Sequence, residues 1–410
     1  MAVAVVSPIS SHESAPAPAL QRLYDNLGQK KIQSLDGLRA VAVLLVICNH
    51  IGVPFAPRGR GVLTFFVLSG FLITWLLLKE AGRTGTISVK DFYIRRVLRI
   101  FPAFYVFGIL SYVLTRLTVG PLPASARADY ISAFFYLGNY WHAISHANHH
   151  YLGHIWALCI EEQFYLLWPL LFAAFYRDLR KLTYVLVGLI VFVDIYRMVL
   201  FFRFHVPDRW LNFTFDSRAD HILIGCLLAV LLRRGALASF WNFVAARLWV
   251  SMVVFALILA SIALSFHYGF AYKYGAGFIL DPLLTAVFLV QVMVMGDSWL
   301  WGWLNWGITR YMGRISYSMF LYHLLAIQVT AYLLPQRSLL RTTPVAVLLT
   351  VLMGTCSYYL IELRFLRLKS KFIVKPERPV LQVVPAVHRL ARSSGREPLG
   401  SSLSPNKLSS

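Results

Sequence analysis

Residues 248–266, LWVSMVVFALILASIALSF, decide the class of fold. The stretch runs for 19 residues without a charge, a proline or a glycine. A helix needs about 20 such residues to cross about 30 Å of hydrocarbon. The apolar residues neither alternate with polar ones, as a barrel strand requires, nor keep to one helical stripe. Comparable runs lie on either side, at 38–55, 62–79, 98–116, 155–176, 182–202, 219–232, 278–295, 312–334 and 343–361. The run ending at Arg233 and Arg234 is the shortest. In lipid every backbone donor and acceptor must be satisfied internally, so long apolar runs mean helices. The expectation is an all-α, polytopic transmembrane helix bundle of about ten spans. Composition agrees: the chain is 58% hydrophobic and 14% charged, where a soluble domain averages about 45–50% and about 25%.

Most of the 39 Lys and Arg fall on cytoplasmic segments if both termini are placed in the cytoplasm. That excess survives removal of the basic tail, so N-in and C-in is the expected topology. The net charge of +21 then reflects this asymmetry and attraction to anionic lipid headgroups, with the bilayer rather than nucleic acid as partner. Three regions follow: a polar cytoplasmic leader, 1–33; a membrane domain, 34–368; and a basic cytoplasmic tail, 369–410, whose composition favours disorder. The leader holds Pro16 and Pro18 and has no apolar core before Leu35, unlike a secretory signal. The cysteines Cys48, Cys159, Cys226 and Cys356 all lie inside candidate spans without paired spacing and read as packing residues. No Walker A sequence or dinucleotide fingerprint is present.

Five constellations carry chemistry. In SLDGLRAVAVLLVICNH (34–50), Asp36 and Arg39 open the first span and His50 follows eleven positions after Arg39, roughly 16 Å further along a helix. A histidine inside a span marks a functional site by default, though a hydrogen bond to a neighbouring helix would also hold it. In KDFYIRRVLRIFP (90–102), Arg95, Arg96 and Arg99 sit at a cytoplasmic mouth. They are either ordinary positive-inside anchors or a phosphate clamp, since guanidinium forks match phosphate oxygens. HIWALCIEEQFYLLWP (154–169) places His154 near the outer end of a span and Glu161 and Glu162 within it. Adjacent helix positions point about 100° apart, so the two acids are expected to face different neighbours. In FDSRADHILIG (215–225), Arg218 and Asp220 form either an interfacial ion pair or part of an acceptor site. In GRISYSMFLYH (313–323), Ser316 and His323 are seven apart and share a helix face. His142, His146, His150 and His154 step by four, but no carboxylate accompanies them, and a solvated loop is preferred to a metal site.

Taken in order along a ten-span chain, LDGLRAVAVLLVICNH, FFVLSGFLIT, RRVLRIFP, HIWALCIEEQFYLLWP, RADHILIGCLLA and GRISYSMFLYH resemble the acyltransferase-3 family of membrane-bound O-acyltransferases. The resemblance runs from about Ser34 to His323. It implies an Arg and a His separated by ten residues on the first span, here Arg39 and His50, an Arg-x-x-Arg loop, here Arg96 and Arg99, and a span-four glutamate, here Glu161. It further implies that acyl-CoA, acetyl-CoA by preference, is the co-substrate, with no bound cofactor. The acceptor is then a hydroxyl of a glycan, glycolipid or similar envelope or secreted molecule, and the location the bacterial inner membrane. Two positions depart from the pattern: Leu63 stands where many members carry an acid before the two phenylalanines, and Ala157 follows Trp156 in place of serine. The chain lacks the hydrolase-like C-terminal domain of some members, so it is expected to work alone or with a separate partner.

The catalytic set expected from residues and resemblance together is His50 as general base, Glu161 as the acid that orients it, and Arg39. Arg95, Arg96 and Arg99 would hold the CoA phosphates. Glu162, His154, Arg218, Asp220, Ser316 and His323 would contact substrate, and no metal is assigned. The alternative is a proton-coupled carrier using the intramembrane His50, Glu161 and Arg197. Such a carrier needs neither the arginine cluster nor the Arg-to-His spacing.

Overall fold

The computed structural model describes residues 18–29, 32–54, 56–145, 150–335 and 338–369. Most of the leader, nearly all of the tail, and the histidines at 146 and 149 lie outside the described residues. The chain opens with α1 (Pro18–Gly28), α2 (Gln33–Ile51), α3 (Arg60–Thr84) and α4 (Val89–Val119). Two short helices, α5 (Ala124–Phe134) and α6 (Gly138–Ile144), lead to α7 (Ile155–Phe175) and α8 (Leu179–Phe202). Next come α9 (Asp208–Phe213), α10 (Ala219–Arg234), α11 (Ala238–Ala246), α12 (Leu248–Tyr272) and α13 (Phe278–Met295). The last are α14 (Gly307–Arg314), α15 (Ser316–Leu333), α16 (Leu339–Ser357) and α17 (Leu363–Lys369). No strand occurs among the described residues.

Seven segments are long and apolar enough to cross a membrane, or eight if α10 and α11, bent by 106° at their junction, count as one. Every apolar run read from the sequence falls on a helix, but helices and crossings are not equivalent. α10 has 16 residues and α15 has 18. α12 and α13 join through a π-helical turn into one 48-residue segment.

The faces of α8 show the solvent this bundle expects. Its inward side buries Thr183, Asp194 and Arg197, while Val191, Phe192, Ile195 and Val199 are exposed. A helix in water would reverse that pattern. An apolar exterior around a polar interior suits lipid, and the chain is a multi-pass membrane protein.

Lipid tails are as apolar as leucine, so helix association here rests on close packing and hydrogen bonds. One close crossing joins α3 to α10 through two reciprocal glycines. A Cβ at Gly70 would run into the carbonyl oxygen of Ile222, and one at Gly225 into that of Val67. Gly225→Leu should therefore destabilise the bundle by about 1–3 kcal/mol, towards the upper value because the clash is with backbone. Thermal unfolding in detergent checks this; an unchanged midpoint would mean that the crossing is looser than described. Loops brake the helices where the spans need to end: Gly52, at φ 84°, caps α2, its N–H satisfying carbonyls at Cys48 and Asn49.

Candidate active site

α2 lies among α3, α14, α15 and α16, so its polar residues meet side chains from several helices. Their meeting place is a cavity of about 480 Å³. Arg39 and Asp36 enter it from α2, Ser69 from α3, Arg96 and Arg99 from α4, and Glu161, Glu162 and Tyr165 from α7. Ser316 and Tyr317 of α15, Arg314 of α14, Glu362, and Gln29, Lys79 and Tyr358 also line it. Arg39 is 3.7 Å from the Asp36 carboxylate. The Arg96 guanidinium lies 5.3 Å from the centre of the Phe92 ring and 5.2 Å from that of Tyr165, which orients its fork and desolvates one face. The Tyr165 hydroxyl and Ser69 Oγ share a hydrogen bond. A wall of Phe65, Phe66 and Phe320 bounds the same space.

Two expectations meet a different arrangement here. Arg95 does not line the cavity; it bonds the Glu80 carboxylate at 2.7 Å, and Glu80 also accepts from the Ser88 N–H at 2.8 Å, tying α3 to the start of α4. Glu161 and Glu162 both line the cavity. Glu161 lines the cavity, whereas the hydrogen bonds of His50 run to Val46 and His323. The partner of His50 is His323, whose Nε2 lies 3.3 Å from His50 Nδ1.

His154 completes a second level. Its ring centre is 4.7 Å from that of His323 and 5.2 Å from that of Phe320. Three helices thus carry one residue at each level: Arg39 and His50 on α2, Glu161 and His154 on α7, Ser316 and His323 on α15. The spacings of eleven, seven and seven residues correspond to roughly 16, 10 and 10 Å along a helix. Phe320 belongs to both levels, since it lines the cavity and packs against His154 and His323. His154 and His323 are fully buried, while His50 is exposed at the end of α2.

Of the two readings of Arg218 and Asp220, the structure does not show the interfacial pair. Both are buried, and Asp220 bonds Arg197 at 2.9 Å, with Asp194 on the same guanidinium. Two carboxylates around one cation clip α8 to α10. Arg218 instead lies against three rings, 5.7 Å from Phe66, 5.7 Å from Trp156 and 4.4 Å from Phe278, with its Nε unpaired. Beside it, both ring nitrogens of His221 are also unpaired.

Of the step-of-four histidines, His146 lies outside the described residues. α6 ends at Ile144; His142 is buried near Phe213, and His154 joins the histidine level. Among the described residues no group of His, Cys, Asp and Glu has metal-binding geometry. Glu362 escaped the sequence reading, although an acid among YYLIEL is a readable signal. A π-helical turn, Tyr358–Glu362, brings it to the cavity, where Ser318 bonds it. Ser69 and Tyr165 gave no such signal, because hydroxyls are common within spans.

A family model described as an acyltransferase domain matches residues 32–362. The chain is similar to the protein named "Putative peptidoglycan O-acetyltransferase YrhL" of Bacillus subtilis, 33% identical over 309 residues that cover 71% of this chain and 48% of that protein. It is also similar to peptidoglycan O-acetyltransferase OatA of Listeria monocytogenes, 30% identical over 316 residues, 74% of this chain and 50% of that one. The chain spans about half the length of the curated relatives it matches. No solved structure matches it.

Proposed function

The chain belongs to the acyltransferase family whose domain occupies residues 32–362, and from that premise we propose that it moves an acyl group, acetyl by preference, from acyl-CoA to a glycan hydroxyl. The observation that carries this reading is the two-level site: an arginine-rich cavity and a histidine cluster that share one phenylalanine wall. The relatives named peptidoglycan O-acetyltransferases make a cell-wall glycan the first acceptor to test. Ten crossings, both termini in the cytoplasm and an inner-membrane location complete the proposal. Arg39, Arg96 and Arg99 then face the compartment that holds acyl-CoA.

In this mechanism the arginines bind the CoA phosphates and the thioester arm extends past Phe320 towards the histidines. The acceptor enters from the far side, where Arg218 and His221 offer unpaired nitrogens to its oxygens. His50 takes the hydroxyl proton as the oxygen attacks the thioester carbonyl. The C–S bond breaks, and the thiolate leaves with the proton returned by His50. The products are an O-acyl ester and free CoA. Glu161 and Glu162 act at the cavity, where they neutralise part of the arginine charge before the donor binds. A carrier reading finds no support in the family.

Purified protein in liposomes, given radiolabelled acetyl-CoA and cell-wall glycan, should produce alkali-labile label in the glycan. Absence of label, with succinyl-CoA and longer acyl-CoAs also tried and insertion verified, would remove the transferase reading.

A further inference from the structure

The hydrogen bonds around His50 and His323 determine where their protons sit. His323 Nδ1 lies 2.6 Å from the carbonyl oxygen of Phe320. A carbonyl only accepts, so that nitrogen carries hydrogen and donates. In a neutral ring the other nitrogen, Nε2, then holds a lone pair. It faces His50 Nδ1 at 3.3 Å. His50 Nδ1 is also 2.9 Å from the carbonyl oxygen of Val46, which demands a hydrogen there too. Both contacts agree: His50 Nδ1–H donates to Val46 and is shared with His323 Nε2. The remaining nitrogen of His50, Nε2, is therefore the unprotonated one.

We propose that His323 is a positioning residue for the transfer reaction rather than a substrate contact: it holds His50 as the Nδ1–H tautomer, so that Nε2 is the base. The inference rests on the reading of His50 as general base. His323 takes the place that a buried carboxylate holds in a hydrolase triad, where the orienting group fixes the tautomer and stabilises the imidazolium. When His50 Nε2 takes the acceptor proton, its Nδ1–H becomes a stronger donor, and the lone pair of His323 receives it. A neutral partner does this without burying a second charge in the membrane. The packing favours the same arrangement. His323 is fully buried, with its ring in contact with His154 and Phe320, and its own tautomer is pinned by a backbone carbonyl from the preceding turn of α15. The signal was present in the sequence as GRISYSMFLYH, yet spacing alone could not show that His323 faces another helix's histidine.

Two substitutions and one spectrum test this. His323→Gln can place an amide oxygen where Nε2 stood and so keep an acceptor for His50; His323→Leu fills similar space without one. His323→Leu should lower kcat for acyl transfer by at least about tenfold, less than loss of the base itself. KM for acyl-CoA should stay within about threefold, since His323 lies outside the cavity lining, and His323→Gln should recover most of the loss. Equal rates for the two variants, or a change confined to KM, would overturn the positioning role. ¹⁵N spectra of histidine-labelled wild-type protein give a second readout that does not depend on variants folding alike. Both His50 and His323 should appear as Nδ1–H tautomers, and an Nε2–H tautomer for either would contradict the proposal. His50→Ala separates the two claims. If it leaves transfer intact, the base reading fails and this inference falls with it. If it abolishes transfer while His323→Leu behaves as wild type, only the positioning role is lost.

Discussion

His50→Ala should lower kcat for acyl transfer by about 10²–10⁴, the usual contribution of a positioned general base. KM for acyl-CoA should change little, because His50 stands outside the cavity that the arginines line. The protein should also remain folded. His50 occupies the last turn of α2 and is exposed, and substitutions at exposed positions usually change stability by no more than about 0.5 kcal/mol. It loses one bond within its own helix, to Val46, and one across to His323 of α15. A steady-state comparison at saturating donor, normalised to folded protein, measures the effect. Wild-type kcat in His50→Ala would mean that proton removal is performed elsewhere, and the histidine level would lose its role.

Arg96→Ala and Arg99→Ala should each raise KM for acyl-CoA by about ten- to a hundredfold. A hydrogen bond to a charged group is worth about 1.5–3 kcal/mol, and each 1.4 kcal/mol is about a factor of ten. KM for the glycan should not move, since neither arginine belongs to the histidine level. Two comparisons sharpen the result. Arg95→Ala should leave donor KM within about threefold of wild type, because that side chain already bonds Glu80 at 2.7 Å and lies outside the lining. The same acyl group presented as a pantetheine thioester, without the nucleotide phosphates, should be insensitive to all three substitutions, as interaction energies require when one partner has been removed. Equal losses on donor and acceptor would identify a packing defect instead of a lost phosphate contact.

The bundle was legible because lipid imposes one rule on every span, and residues 248–266 obey it without interruption. The number of crossings was less legible. Hydropathy does not show that α12 and α13 continue through a π-helical turn, or that α10 bends into α11. The residues of the site were also legible one at a time: Arg39, His50, Arg96, Arg99, Glu161 and His323 each stood out as polar groups in apolar surroundings. Their partnerships were not. Glu161 was matched with His50 because both are intramembrane and complementary in chemistry, but their levels depend on where α2 and α7 cross. Helix register is set by contacts such as Gly313 against the Asp36 carbonyl, and no single sequence states which glycine meets which carbonyl. Arg218 illustrates the same limit. Its neighbour in sequence, Asp220, is held by Arg197 of α8, a contact between helices that the local sequence does not state.

The two-level site makes a demand on geometry that one experiment meets directly. Liposomes carrying the purified protein would be loaded with radiolabelled acetyl-CoA, sealed and washed, and then supplied with cell-wall glycan on the outside only, with His50→Ala in parallel. Alkali-labile label should appear on the external glycan with the wild-type chain and be lost with His50→Ala, because donor and acceptor approach opposite ends of one path through the bundle. Label that appears only when donor and glycan share a compartment, or that appears equally with His50→Ala, would contradict a site in which the arginine cavity feeds the histidines.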